Sequence, residues 1–490
     1  MPSPRALRYF ALAAVLVASL VLVGKHDFSI GVDAGVHHAF AEQLAAFGQW
    51  PLPPQSYLTN IAHYPPAAHT LGVLLGSAVG STFHGMLVVN ALALFVVYLA
   101  LSSFIQRTSA AEAIGSLIIF VSAALVFRRL RFITGNEVVA NFFFGQFAGT
   151  AAMLTGFILL AHARWRFPVW LAAAAAITHV VGWFFPLSAI QLAVGAAALR
   201  LRPSDYLDGL STRLREGAVT GVVLAVVAGV HPTMADMVNI SGNDGGISIT
   251  DTTMLVATAF LCLMAIPALI YVAPCSNLLQ GNALVALAIG VAVPCLLQFV
   301  MLAVFGLGSP YAVKKSGFLI GTLSLLIFSC LAMEWRPLKD LALRLTLPPL
   351  VPYAARLVGP AMVAIALLLV FAGRPRTPVS EIAAYDSQLK PFVAQHPELL
   401  RVSVAMTGTF DPHVNYVVGF ARLHPPLAVQ FVQNALLPPA PKLIAGAKFA
   451  IVGAAQAKAL PTDCVFAGDG QLAAVRTRCL GGDRGGIRSD

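Results

Sequence analysis

The chain is 490 residues long, 58% hydrophobic and only 11% charged, with a mean hydropathy of +0.80. Soluble domains carry roughly 25% charged residues, so most of this chain is built for a solvent other than water. The net charge of +10 invites nucleic acid or anionic lipid as a partner, but the basic residues stand singly or in pairs beside helix ends, as topology signals do. Without Arg/Lys tracts and interleaved aromatics, nucleic acid is excluded.

The N-terminal segment joins a basic flank, "PRALRYF", to the apolar "ALAAVLVASLVLVG", and reads as an uncleaved first span rather than a signal peptide. Apolar runs long enough for a hydrocarbon core of ~30 Å recur as far as residue 373 and predict about eleven transmembrane helices. They fall near residues 6–24, 85–105, 111–127, 138–162, 168–184, 187–201, 217–232, 252–273, 282–305, 316–334 and 350–373. The fifth and sixth are short spans meeting near Pro186, where proline breaks a long run. Residues 66–80 would reach about 22 Å as a helix, too short to cross comfortably, and are read as a surface helix.

The positive-inside rule supports that choice. With the N-terminus cytoplasmic, the inner loops hold twelve basic residues: Arg5, Arg8, Arg107, Arg164, Arg166, Arg200, Arg202, Arg213, Arg215, Arg336, Lys339 and Arg344. The outer loops hold six: Lys25, Arg128, Arg129, Arg131, Lys314 and Lys315. Counting 66–80 as a crossing reverses the balance. The outer face then carries the long loop 25–84, the basic "RRLRFITGNE", the polar loop with the sequon-like Asn239, "GLGSPYAVKKSGF" and the tail, so function is expected there.

In the first outer loop, Val36, Phe40, Leu44 and Phe47 recur at helical steps and predict a short amphipathic helix from Asp33 to Phe47. Asp33 stands at its start, as a cap or as a catalytic carboxylate beside the bilayer, and His37 shares its face four residues on. "WPLPP" ends the helix and "YPPAAH" opens the surface segment.

This order of features resembles the membrane-embedded GT-C glycosyltransferases, which use lipid-linked sugars. Members show an Asp or Asp-Glu soon after the first span and a "PP" followed by an aromatic or His before the second. Asp33 matches the first position, and Tyr64, Pro65, Pro66 and His69 match the second. Here Asp-Ala-Gly stands where Asp-Glu is common, and the likeness covers mainly residues 1–200. It implies a polytopic all-α fold, a polyprenyl-phosphate sugar donor, a glycan, lipid or protein acceptor, and Asp33 as general base. It also implies a multi-pass protein of a bacterial inner membrane with its chemistry, and its tail, on the periplasmic side.

Glycosyl transfer needs a base for the incoming hydroxyl and cations for the departing phosphate. Arg128, Arg129 and Arg131 stand at the outer end of a span against the positive-inside bias; they are phosphate ligands or snorkelling anchors. Asn136 and Glu137 follow and could meet the acceptor or pair with those arginines. Tyr311 and Lys314 form a Tyr-x-x-Lys like lipid-phosphate-contacting segments of some GT-C members, with Lys315 beside them; anchoring is the alternative. His179, after Thr178, matches a place where many members carry Lys or His, and is otherwise a packed core histidine. His38, His63 and His231 are weaker substrate-binding candidates. A divalent metal (Mg or Mn) held by Asp33 with Asp27, His37 or His38 is an alternative to a metal-free site.

Cys262, Cys275, Cys295 and Cys330 lie in or beside apolar spans as small core residues. Cys464 and Cys479 lie in the polar tail, where a disulfide would place it in an oxidising compartment. Residues 374–480 return to ordinary composition and predict a small α/β or α+β domain for acceptor binding or packing over the membrane site. It has a helix in "EIAAYDSQLKPFVAQHPELL" and strands in "RVSVAMTG", "VNYVVGFARL", "KFAIVGAA" and "DCVFAG". Residues 481–490 are expected to be disordered. A transporter or flippase of lipid-linked glycans and an outer-face polysaccharide polymerase or ligase are the rival functions.

Overall fold

The computed structural model describes residues 3–29, 33–56, 58, 61–105, 110–126, 133–201, 210–234, 259–260, 263, 278–308, 310–335, 337–338, 340, 351–402, 404–406, 411–423 and 448–480. Two compact units emerge, one of Met1–Gly24, His63–Ala68 and Val88–Arg374, the other of Lys25–Ala62, His69–Leu87 and Pro375–Asp490.

The first unit is a bundle of apolar helices. It begins with α1 (Pro4–Leu22), which Ser3 caps by accepting from the Ala6 amide while Pro4 fills the first turn. Its further helices are the part of α4 (Thr82–Ile105) from Val88 onward, α5 (Ala110–Val126), the short α6 (Asn136–Asn141), α7 (Phe144–His162), α8 (Phe167–Phe184), α9 (Pro186–Arg200) and α10 (Leu210–Gly229). After them come α11 (Leu278–Phe305), α12 (Pro310–Ala332) and α13 (Val351–Phe371). Helix α9 lies at the centre, packed on α7, α8, α10 and α11, and α13 packs on α1 and α5. Where α9 and α11 cross, a Cβ on Gly290 would stand 2.7 Å from the Gln191 carbonyl and 2.8 Å from Gly195 backbone. Small residues let the two backbones approach, as association inside a membrane requires.

Among the described residues six helices are long and apolar enough to cross a membrane: Arg5–Leu22, Thr82–Ile105, Phe144–His162, Phe167–Phe184, Ala283–Phe305 and Pro310–Ala332. Shorter apolar helices occupy Ala67–Val79, Ala111–Val126, Pro186–Arg200 and Arg356–Phe371. The chain is a multi-pass membrane protein. Phe185 separates α8 from α9 where Pro186 breaks the run. The expected span 252–273 lies largely outside the described residues.

Two expected boundaries are corrected. The span expected at 138–162 is interrupted: α6 ends at Phe142, whose φ of 55 is left-handed, before α7 begins. Phe142, Phe143 and Phe144 are all buried, whereas a continuous helix would fan three successive side chains around its circumference. The break turns all three inward. Similarly, α12 starts at Pro310, not 316, because proline is preorganised for a first helical turn; Tyr311, Lys314 and Lys315 are therefore helical rather than in a loop.

The second unit combines the first loop and the tail. Strand β1 (His26–Asp27) pairs antiparallel with β2 (Thr377–Pro378). Helices α2 (Asp33–Phe47) and α3 (Ala67–Val79, from His69 onward in this unit) follow from the loop, and α14 (Val379–Gln395) and α15 (Pro412–Arg422) from the tail. Strands β3 (Val404–Met406), β4 (Phe449–Gly453), β5 (Val465–Gly468) and β6 (Leu472–Arg476) form one sheet in the order β3-β4-β6-β5, with β3 and β4 parallel and the other pairs antiparallel. Cys464 and Cys479 form a disulfide with a Cα–Cα distance of 5.9 Å.

The strand expected in "VNYVVGFARL" is instead helix α15. Asp411 caps it by accepting from the His413 amide at 2.8 Å, Pro412 fills the first turn, and Val414, Val417, Val418 and Ala421 bury one helical face. Capping and the 3.6-residue period override a β-branched composition.

Candidate functional site

Helix α2 opens with Asp33, half-buried in its first turn. Most of the helix is inaccessible, including His37, His38, Phe40 and Leu44. His37 Nδ1 and His69 Nε2, the latter on α3, share a hydrogen bond of 2.9 Å, and Phe40 meets the His69 ring edge-on at 4.9 Å. His69 of the "YPPAAH" motif thus fastens onto the residue one turn after Asp33. His38 points to the other side, where its Nδ1 donates to the Val417 carbonyl of α15 at 3.4 Å.

Further along α2, Glu42 accepts from Arg422 at 2.6 Å, and Arg422 also makes a two-pronged contact with Asp386 of α14 at 2.6 and 2.7 Å. Burial pushes the Glu42 carboxyl up, but the positive charges of its neighbours His38 and Arg422, with hydrogen bonds from Thr82 and Arg422, outweigh it and set it at about 2. Burial also pushes His38 down, more than Asp386 and Glu42 raise it. Before α2, the buried Asp27 accepts from the Ser29 amide and hydroxyl and meets His413 Nε2 at 2.7 Å. Burial lowers His413, but Asp27 and Asp411 raise it more, leaving it above its ordinary value.

Within the helical bundle, Lys315 is 3% exposed and its ammonium lies over three rings: Tyr311 at 3.9 Å, Phe143 at 4.6 Å and Phe185 at 4.7 Å. Its carbonyl accepts from Gln146 Nε2 at 2.9 Å. The Tyr64 ring packs on Gly145, whose added Cβ would stand 3.2 Å from Tyr64 Cε1. Tyr64, Tyr311 and Lys315 therefore gather around the break between α6 and α7, which the three phenylalanines create. Lys314 is half-buried one position earlier on α12.

The loop before α6 is tightly held. Tyr98 donates to the Thr134 carbonyl at 2.6 Å, and the Thr134 amide donates to Thr322 Oγ1 at 2.8 Å. Asn136 accepts from Arg374 at 3.4 Å. Glu137 is 1% exposed, outside the candidate spans, and accepts from the Gly135 amide at 2.6 Å. Its burial outweighs the hydrogen bonds and raises it to about 8, so it is a neutral acid at neutral pH. Arg128, Arg129 and Arg131, like the loop around Asn239, lie outside the described residues.

His179 and His231 come together, with ring centroids 4.8 Å apart, alongside Trp183, which donates to His179 Nε2 at 3.2 Å. His179 is exposed, whereas His231 is buried against Gly182 and shares a hydrogen bond of 2.8 Å with Thr233. His63 is exposed just before Tyr64. Among the described residues no group of three or more His, Cys, Asp or Glu side chains gathers as a metal cage. The metal donors suggested by the sequence are engaged with other partners: Asp27 with His413 and Ser29, His37 with His69, His38 with Val417.

Sequence reasoning missed Tyr416, Arg422, Asp386 and Glu42. One signal was available. Ala34-Gly35 puts two small residues right after Asp33, and small residues inside a helix mark a close approach.

No family model and no curated protein sequence matches this chain. Among solved structures it is similar to ArnT from Cupriavidus metallidurans bound to undecaprenyl phosphate, at 15% identity over 95% of this chain and 97% of that one, with a TM-score of 0.47. It is also similar to ArnT from the same organism in the apo state, with the same identity and coverage and a TM-score of 0.43.

Proposed function

We propose that this chain is a GT-C-type membrane glycosyltransferase that moves a sugar from a polyprenyl-phosphate donor to an acceptor at the periplasmic face of a bacterial inner membrane. The observation that carries this reading is the position of Asp33: a half-buried carboxylate in the first turn of a helix fixed by His37–His69 and by α15, shortly after the first span.

The Asp33 carboxylate takes the proton of the acceptor hydroxyl as that oxygen bonds to the anomeric carbon. The bond from that carbon to the phosphate oxygen breaks, its electron pair leaves with the polyprenyl phosphate, and the proton passes from Asp33 to water. Cations must stand at the phosphate. Lys315 in its aromatic box, Lys314, and Arg128, Arg129 and Arg131 are the proposed set, with Tyr64 and Tyr311 beside Lys315. His37, His38, His63, His69, His179, His231, Asn136 and Glu137 are the proposed substrate contacts. The N-terminus is cytoplasmic and the tail periplasmic in this reading, consistent with the Cys464–Cys479 disulfide.

The test is full-length protein in liposomes given a labelled polyprenyl-phosphoryl sugar and an envelope glycolipid extract. Transfer of label to the extract with stoichiometric release of polyprenyl phosphate is the expected result. Movement of intact donor across the bilayer without cleavage would contradict it and point to a flippase.

A further inference from the structure

The helix that carries Asp33 is gripped along its length by one element of the tail. Helix α15 contributes four side chains or carbonyls to the segment around Asp33: His413 to Asp27, Tyr416 to Gly35, the Val417 carbonyl to His38, and Arg422 to Glu42. The contact nearest Asp33 is the closest packed. A Cβ on Gly35 would lie 3.1 Å from Tyr416 Cε1, 3.2 Å from its Cζ and 2.9 Å from Phe420 Cβ. Cζ is the atom that bears the hydroxyl, and Gly35 is two residues after Asp33, so the phenol lies against the first turn of α2. The Tyr416 ring is 0% exposed. A buried phenol needs a hydrogen-bond acceptor, and the first turn of a helix offers no free backbone carbonyl. Burial first, and the negative charge of Asp33 second, raise the Tyr416 phenol well above its ordinary value, so it remains a donor.

We propose that Tyr416 is a positioning residue for Asp33: its hydroxyl donates to the Asp33 carboxylate and fixes the oxygen that takes the acceptor proton. This rests on Asp33 being the base. It gives the tail a role in the reaction itself, because the α15 clamp aims the carboxylate. A side chain at position 35 would press on the phenol and on Phe420, so glycine there lets the two helices meet. The titratable groups around this end of α2 are Asp27, His413, His37, His69, His38, Glu42, Arg422 and Asp386.

The experiment compares the reconstituted chain with Tyr416→Phe, Asp33→Asn and, as a buried-tyrosine control, Tyr385→Phe of α14. The probe is whichever synthetic polyprenyl-phosphoryl hexose or pentose the unaltered chain turns over. Tyr416→Phe is expected to lower kcat about 10-fold, with KM within about 2-fold, while moving the acidic limb of the kcat profile to higher pH, since a carboxylate that loses a donor protonates more readily. Tyr385→Phe is expected to leave both unchanged. If Tyr416→Phe fails to fold, Gly35→Ala carries the same test by pushing the phenol away. An unaltered kcat and pH profile in the tyrosine variant (or in Gly35→Ala), with Asp33→Asn inactive, overturns this inference and leaves the Asp33 reading standing. An active Asp33→Asn overturns the reading beneath it.

Discussion

In the unit formed by the first loop and the tail, Arg422 meets two carboxylates at 2.6–2.7 Å and His413 meets Asp27 at 2.7 Å. In the helical bundle, Lys315 lies over three ring faces, and Glu137, which accepts from a backbone amide, is kept neutral by its burial. The bundle's Arg200–Glu216 pair is looser, at 3.7 Å, with side chains 23% and 26% exposed. The difference follows from the surroundings. A domain beside water can recruit charged partners and bury them as matched sets. A helix bundle in lipid has few charges to recruit, and its buried Lys315 rests on ring quadrupoles. A matched set is rigid, whereas a cation on ring faces can still accept an incoming phosphate. Under the proposed function, the first would suit a base that must be aimed and the second a site that must bind and release an anion.

The sharpest way to break this comparison is Arg422→Met, which leaves Glu42 and Asp386 buried without their cation. It should cost about 3–5 kcal/mol in unfolding free energy, measured by denaturant melts of purified protein. The pH dependence has a definite sign. Glu42 is depressed from 4.5 to about 2, so its contribution is complete above pH 4.5 and is lost as pH falls towards 2. The variant should lose that acid dependence.

Lys315→Met tests the other side. Removing a buried charge while keeping its volume should leave the melting temperature unchanged or higher, while transfer falls about 100-fold for want of a phosphate partner. Equal loss of stability and activity would make Lys315 structural.

Asp27→Asn should destabilise by about 2 kcal/mol below pH 6. Because His413 is raised above 6.5, the pair contributes fully below that value and fades as pH rises through the folded value, so the gap between variant and parent should narrow over that alkaline rise. Glu137→Gln should do least. The raised acid stabilises the fold below pH 4.5 and loses that contribution as pH rises through about 8. The variant should therefore match its parent at pH 5 and melt roughly 2–4 °C higher at pH 9.

The amphipathic helix after the first span, the break at Pro186 and the tail helix were legible because each is written in local periodicity or in proline. Phe142 was not, since no glycine or proline announces its left-handed turn; the break comes from burying three aromatic neighbours. The strand expected over residues 414–423 followed Val and Tyr composition and overlooked the Asp411-Pro412 cap. Lys314 and Lys315 read as surface charges because a lysine pair suggests water, and only packing shows that Lys315 ends among rings. Partners such as Asp27 and His413, 386 residues apart, leave no mark in either local segment.

The most direct test of the account is the single-turnover rate of Asp33→Asn in liposomes, with donor affinity measured in parallel. Loss of about 1,000-fold in rate with donor binding unchanged is the predicted result. Transfer at the parent rate by this neutral variant would contradict it.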